Sequence, residues 1–443
     1  MNRPQVAPPG RWVQPMPVES TLPNGLRLWA LDLPGQQVLS IRTIIPTTLA
    51  TERRDVEGVS VAMSRLLDEG AGGRDAESFA LALERHGAAL GAGAAEGSLS
   101  VDLDVPVRHL EGALGLLTDA LSAPGFPEEE VRRVLRNRVA DYEYESTSAP
   151  HRAARELLAE MWAPASRASR PAAGTPETVQ AITRDDIVAR HAEVVPDRGS
   201  VVVVGDLSSV DLGALVGGTL GAWTAPGVAT GPVAPEPSEH ETRIVLVDRP
   251  GSVQSELVIG CPAPGRADED WASYPVLAYL LGGSPGARID AVLREEKGWT
   301  YGMRAAMRPR AVGGSFAVTG SVRADVTADA LSRLLSILDR ASEGFAPDEV
   351  ATGVDFITRA TPGRWATADV IADELAALAI EGLPVTFPGS TVEAMHGIDS
   401  TALVRAHAIL TAGPRSIVVV GDAESVATQL ESLDVAPVVV RQA

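Results

Sequence analysis

The stretch Val-Val-Val-Val-Gly-Asp at 201–206 returns as Ile-Val-Val-Val-Gly-Asp at 417–422. Each copy follows a helix-like segment, DDIVARHAEVV at 185–195 and STALVRAHAIL at 400–410. Upstream of these, GFPEEEV at 125–131 is answered by GFAPDEV at 344–350, so that Phe126 pairs with Phe345. Matched blocks in the same order, about 217 residues apart, exclude a solenoid, whose repeats run to roughly 20–50 residues. They describe one domain present twice.

Between the copies, residues 225–241 (APGVATGPVAPEPSEHE) are proline-rich and lack apolar periodicity, which reads as a semi-rigid linker. The expected division is an N-terminal domain at 1–224, the linker, and a C-terminal domain at 242–443. Each half mixes strands and helices. LSVDLDV at 99–105 alternates apolar and polar with period two, as a half-buried strand does. Val107, Leu110, Leu114, Leu117 and Leu121 recur at helical spacing, and Leu331, Leu334, Leu335 and Leu338 repeat that role in the second half. The segments at 126–144 and 345–360 open with Pro or acidic residues, which suit helix starts. The fold class expected is α+β, with two homologous α/β-sandwich halves.

The 443 residues are 45% hydrophobic and 22% charged, a globular composition. The net charge of −20 argues against nucleic acid, because phosphate binding needs a basic surface. No apolar run approaches the ~20 residues that cross a bilayer, and MNRPQVAPPGRW lacks a signal-peptide core, so no membrane association and a cytoplasmic location are expected. The single Cys261 excludes an intrachain disulfide and agrees with a reducing compartment. No two of His86, His109, His151, His191, His240, His396 and His407 are three to five residues apart. The sequence therefore offers no helical metal pair.

Two further segments carry a family resemblance. LLGGSPGARIDAVLREEKGWTYGM at 280–303 resembles the second-half signature of the insulinase/pitrilysin family of zinc peptidases, and GVSVAMSRLLDEG at 58–70 sits where that family has its metal helix. The resemblance covers roughly residues 20–435 and implies a duplicated processing-peptidase-like domain forming half of a clamshell. Active members carry two histidines four apart, which share one helix face and bind zinc, with a glutamate between them as general base. Gly58 and Gly70 match the flanking glycines, but Val61 and Arg65 replace the histidines and Ser64 replaces the glutamate. Valine has no ligand atom and arginine repels a cation. The third ligand, a glutamate on a later helix, is expected near 134–139, where Arg136 and Asn137 stand.

In the family an arginine and a tyrosine seven residues later hydrogen-bond the substrate backbone and help hold the tetrahedral oxyanion, and Arg294 and Tyr301 match that spacing. A positioned donor near the developing oxyanion stabilises it, and the donor need not belong to the chain that carries the metal. The resemblance also assigns Gly282, Gly283 and Gly286 to the substrate-facing glycine loop. It makes the small-residue run at 87–98, including Gly91 and Ala92, the counterpart of an edge strand that accepts an extended peptide. Close packing against a partner or the other half explains that run equally well. What the resemblance implies is a non-zinc subunit that binds peptide and is inactive alone, with no metal or cofactor of its own. Zinc is expected in a homologous partner subunit. The alternative is an inert structural or peptide-binding homologue, like the core subunits of respiratory complexes.

Overall fold

The computed structural model describes residues 12–442. It contains two six-stranded sheets built on one plan. The first comprises β1 (Val18–Thr21), β2 (Arg27–Asp32), β3 (Val38–Pro46), β4 (Ala89–Ala94), β5 (Ser98–Pro106) and β6 (Ser200–Gly205) in the order β1-β2-β6-β3-β5-β4. The second comprises β7 (Arg243–Asp248), β8 (Gln254–Ala263), β9 (Arg304–Pro309), β10 (Gly314–Arg323), β11 (Ser416–Gly421) and β12 (Val438–Arg441) in the order β12-β7-β11-β8-β10-β9. The repeated valine strands are β6 and β11, at the same place in each sheet. Each pairs parallel to one neighbour (β2 or β7) and antiparallel to the other (β3 or β8). The copies differ at one edge. β1 is the first arm of a hairpin with β2, whereas β12 arrives from the C-terminus and runs parallel to β7.

The alternation read in 99–105 is realised in β5, where Leu99, Val101, Leu103 and Val105 are fully buried. The leucine-spaced segments form the helices Leu110–Ser122 and Thr327–Asp339, which pack against one face of their sheets. The later helices begin at Glu128, behind Pro127, and at Pro347, with acidic first turns that complement the macrodipole.

The other face of each sheet is covered by a helix from the opposite half. Helix Ala149–Met161, before the linker, lies on β8 and β11 of the second sheet, where Leu157 and Met161 pack with Val245, Val258 and Val418. Helix Ala368–Glu381 lies on β3 and β6 of the first sheet, where Ile371, Leu375 and Leu378 pack with Trp29, Ile44 and Val202. An ion pair fastens each helix to the sheet it covers. Glu160 accepts from Arg243 at 2.6 Å and from Arg441 at 2.6 Å, and Asp373 accepts from Arg42 at 2.7 Å. Burial pushes the Glu160 carboxyl up, but hydrogen bonds from Arg243 and Arg441 outweigh it and hold the group below the usual carboxylate range.

The linker divides the sequence repeats and the main core of each half, but the cluster on the other face of each sheet draws on both halves. The linker is itself tied down, since Ala163 N–H donates to Glu236 O at 2.8 Å and Ser238 N–H donates to Met161 O at 2.9 Å. The β4–β5 and β9–β10 turns also meet. Glu96 and Arg310 form an ion pair there, and Gly97 sits so close to Ala311 and Pro232 that a Cβ would lie 2.9 Å from each.

Candidate functional site

Two constellations need placing: the helix that the resemblance aligns with a metal helix, and the Arg294–Tyr301 segment. The first is the short helix Val59–Ser64 lying against β4. Its scaffold is intact. Gly58 has φ 101°, in the left-handed region, and a Cβ would approach the Ala173 carbonyl oxygen to 2.7 Å, so glycine is required there. Glu52 caps the helix, accepting from Ser60 N–H at 2.9 Å and Gly58 N–H at 3.3 Å, while Arg167 donates to its other side at 2.9 Å.

The ligand positions on this scaffold hold nothing that binds a metal. Val61 is apolar, and buried Ser64 spends its hydroxyl on the Val61 carbonyl at 2.9 Å. Arg65 donates to Asp141 at 3.1 Å across to helix Glu128–Thr147. Zinc does not fit a site whose central side chain is a guanidinium. Among the described residues no group of three His, Cys, Asp or Glu side chains is placed to hold a metal ion.

The sequence placed the third-ligand position near 134–139, at Arg136 or Asn137. The structure puts the facing residue further along the same helix, at Asp141, so a carboxylate does stand opposite Arg65. Within 134–139 the buried side chain is Arg138, which is engaged with Glu145 at 2.9 Å and the Ala173 carbonyl. Helix register could not be assigned from a segment rich in charge on every face, and only packing shows which turn looks at Arg65.

The second constellation starts at the glycine loop. Gly282 lies in a wide helical turn over Tyr279–Gly283 and abuts β9, where a Cβ would sit 2.8 Å from the Ala305 nitrogen. A Cβ on Gly283 would press on the Tyr279 ring at 3.0 Å, whereas one on Gly286 would meet open space. The helix that follows runs through Arg288–Asp290 and Ala291–Glu296. Arg288 anchors it, with a two-pronged bond to Glu349 (2.7 and 2.8 Å) and its guanidinium 4.0 Å above the Phe345 ring. Gly298, at φ 64°, ends it in the left-handed conformation.

Arg294 and Tyr301 are both presented outward from this fixed frame. The Arg294 side chain is 39% exposed, and the nearest carboxylate, Glu295, is 3.6 Å away, beyond hydrogen-bond reach. Tyr301 is 94% exposed. Its backbone is nevertheless held on both sides. Thr300 Oγ1 donates to Ser321 O at 2.7 Å, and Gly302 N–H donates to Thr300 Oγ1 at 3.0 Å. The fully buried Asp290 accepts from Met303 N–H at 2.8 Å and from Arg304 at 3.0 Å. Asp290 and Thr300, which position the tyrosine, were not singled out from sequence. A carboxylate inside an otherwise apolar helix face was the available signal.

Gly91 and Ala92 lie on β4, the free edge of the first sheet, where residues alternate between exposed and half-buried. Cβ atoms on Gly91 or Gly93 would meet nothing within 4 Å. Within this chain Gly91 and Gly93 therefore do not serve close packing, whereas Ala92 packs against the first core. Helix Val59–Ser64 lies beside this edge in the first half, while the glycine-loop turn Tyr279–Gly283 lies beside β9 in the second and Tyr301 precedes that strand.

Residues 32–173 match the model of the insulinase family (peptidase family M16), and residues 181–355 match that of the peptidase M16 inactive domain. The chain belongs to the M16 insulinase family. It is 25% identical over 332 residues to an uncharacterized zinc protease of Mycobacterium leprae, covering 72% of each chain. It is 24% identical over 245 residues to a non-peptidase homolog of Helicobacter pylori, covering 55% of this chain and 56% of that one. The M16 fold is shared with a peptidase M16 inactive domain from Pseudomonas fluorescens (TM-score 0.85, 22% identity, 92% of this chain and 98% of that one). It is shared also with a chain of complex III from Candida albicans (TM-score 0.76, 12% identity, 94% and 99%). Against the periplasmic protease PqqL of Escherichia coli (TM-score 0.77, 12% identity) it covers 94% of its own length but 48% of that chain, so this M16 chain corresponds to about half of a longer one.

Proposed function

We propose that this chain is the non-zinc subunit of a two-chain M16 peptidase. It binds peptide and supplies Arg294 and Tyr301 to the tetrahedral intermediate, while a homologous partner supplies zinc and the general base. The observation that carries this reading is the exposure of Tyr301 on a fixed backbone, seven residues after a half-exposed Arg294 that has no hydrogen-bonded carboxylate. An aromatic side chain kept in solvent just before an edge strand contributes little to the stability of its own chain. It is placed to donate to a group that arrives from outside. Water exclusion when the partner closes over the site would strengthen that donation to the carbonyl oxygen as negative charge builds on it.

Acting alone, the chain is inactive in this reading, because Val61, Ser64 and Arg65 can neither hold a metal nor take a proton from water. Gly286 and the open edge at Gly91 and Ala92 line the path of an extended peptide. Two features support pairing: the fit of this fold to half of a longer protease and the match to an inactive domain. The lone, buried Cys261 suits the cytoplasm, and among the described residues no helix is long and apolar enough to cross a membrane.

The test mixes this chain with a zinc-bearing homologue from the same genome and follows a quenched peptide. Turnover is expected only in the mixture. Arg294→Ala and Tyr301→Phe are expected to lower it at least tenfold, about 1.4 kcal/mol or more of barrier, while leaving the melting temperature unchanged. Turnover indifferent to both substitutions would remove the clamp role. It would favour the second reading, an inert homologue of the respiratory-complex core type, which the match to a non-peptidase homolog supports.

A further inference from the structure

The end of the linker borders a cavity that both halves help to wall. The space, about 180 Å³, lies where three parts of the chain meet: the end of helix Ala149–Met161, the linker at 237–241, and the turn between helix Ser400–Leu410 and β11. An apolar cavity of about 150 Å³ is enough to hold benzene, so this one has room for a small organic molecule. Met161, Pro262, Ile409 and Leu410 make part of its wall apolar. Burial pushes the Cys261 thiol up to about 11, so it adds a neutral side chain to that wall.

The polar part of the wall is incompletely used. Ser238 Oγ is buried without a hydrogen-bond partner among the described residues, and a buried hydroxyl in a native protein ordinarily has one. Glu160 and Arg243 offset each other in a two-pronged pair at 2.6 and 3.0 Å. Arg415 is mostly buried and pairs through Nη2 with Asp339 at 2.6 Å, which leaves Nε and Nη1 without an acceptor among the described residues. Exposed Glu241 makes no ion pair or hydrogen bond among them. A cationic donor and a carboxylate therefore border the same small cavity without meeting each other.

We propose that this cavity binds a free aliphatic α-amino acid of the bulk of leucine. Its carboxylate accepts from Arg415, its ammonium donates to Glu241, and its side chain lies on Met161, Ile409 and Leu410. A zwitterion satisfies both charges of the wall at once. A simple carboxylic acid sets its own charge near Glu241 with nothing to offset it, and an uncharged hydrocarbon leaves every polar group of the wall unpaired, which costs more than pairing gains. The bound molecule touches the first-half helix, the linker and the second half together, so it braces the contact that joins the halves. No residue of the wall belongs to the Arg294–Tyr301 segment or to helix Val59–Ser64, and the binding does not rest on the function proposed above.

The test is calorimetric titration of this chain alone with L-leucine at 150 mM salt (about physiological). Saturable binding is expected, and the melting temperature should rise with leucine concentration. Isoamylamine, which lacks the carboxylate, and 4-methylpentanoate, which lacks the ammonium, should each bind at least about tenfold more weakly, because each forfeits a charged hydrogen bond. Leucyl-leucine, too long for the space, should not bind. Glu241→Gln should weaken leucine binding at least about fivefold and leave the melting temperature of the free chain unchanged. Arg415→Gln should weaken it further, and Ser238→Leu, which fills the cavity, should abolish it. Arg294→Ala and Tyr301→Phe should leave the affinity unchanged, which separates failure of this site from failure of the clamp. Absence of saturation below about 10 mM leucine, equal binding of isoamylamine or 4-methylpentanoate, or indifference to Glu241→Gln or Ser238→Leu would overturn the proposal.

Discussion

Arg65 donates to Asp141 at 3.1 Å, joining the end of helix Val59–Ser64 to helix Glu128–Thr147. The pair is about half exposed on both sides, so it contributes little to stability. Its significance is geometric: a guanidinium now spans helices whose positions are kept by Gly58, Glu52 and Arg167.

That geometry predicts that a metal site can be rebuilt. Val61→His, Ser64→Glu and Arg65→His together place two imidazoles four residues apart, with Asp141 as a third ligand. The triple variant is expected to bind one zinc per chain by mass spectrometry of the metal content, and Asp141→Ala in that background should weaken binding at least tenfold. No zinc in the triple variant would mean that the two helices are not held at metal-bridging distance.

The exchanged helices predict that the halves cannot be separated. Leu375 is fully buried on the first sheet although it comes from the second half. Leu375→Ala is expected to cost about 2–5 kcal/mol in denaturant titration. Residues 1–224 expressed alone should fail to fold and should recover on mixing with 225–443. A protease site placed at Val228, 77% exposed, should be cleavable without dissociating the halves on gel filtration.

A histidine recurs in both copies. His191 and His407 each bond a carbonyl through Nε2, Leu121 at 2.9 Å and Leu338 at 2.7 Å, so Nε2 carries the proton. Burial pushes both imidazoles below the ordinary value of 6.5, and the carbonyl bond only partly offsets it. The unfolded chain therefore takes up protons first. The stabilisation is complete above pH 6.5 and is lost as pH falls toward the lower folded values. His407→Gln, which keeps a donor, should flatten the fall in melting temperature between about pH 7.5 and about pH 5.5, roughly one unit either side of histidine's usual value.

Glu381 predicts the opposite slope. Burial raises its carboxyl to about 7, against a partial pull downward from Arg266 at 3.6 Å. The folded state holds this proton more tightly than the unfolded chain does. The contribution is therefore full below the ordinary value of 4.5 and is lost as pH rises through about 7. Glu381→Gln should raise stability at pH 8, by at most about 3 kcal/mol, and should change nothing near pH 4.5. Equal gains at both pH values would show that packing, and not the proton, is responsible.

The duplication, the alternation in β5, the helical segments opening near 126 and 345, and the absence of ligand atoms at Val61 are local properties of the chain, and all were legible in the sequence. Periodicity fixes which side of a strand or helix turns inward, and side-chain chemistry fixes what a residue can ligate. Neither says what covers the buried face. Only the tertiary structure shows helix Ala149–Met161 lying on the second sheet and helix Ala368–Glu381 on the first. Only it brings Asp141 opposite Arg65, or leaves Tyr301 in solvent on a backbone pinned by Asp290 and Thr300. These relationships join residues distant in sequence, and they are decided by which apolar surfaces meet when the two halves fold around each other.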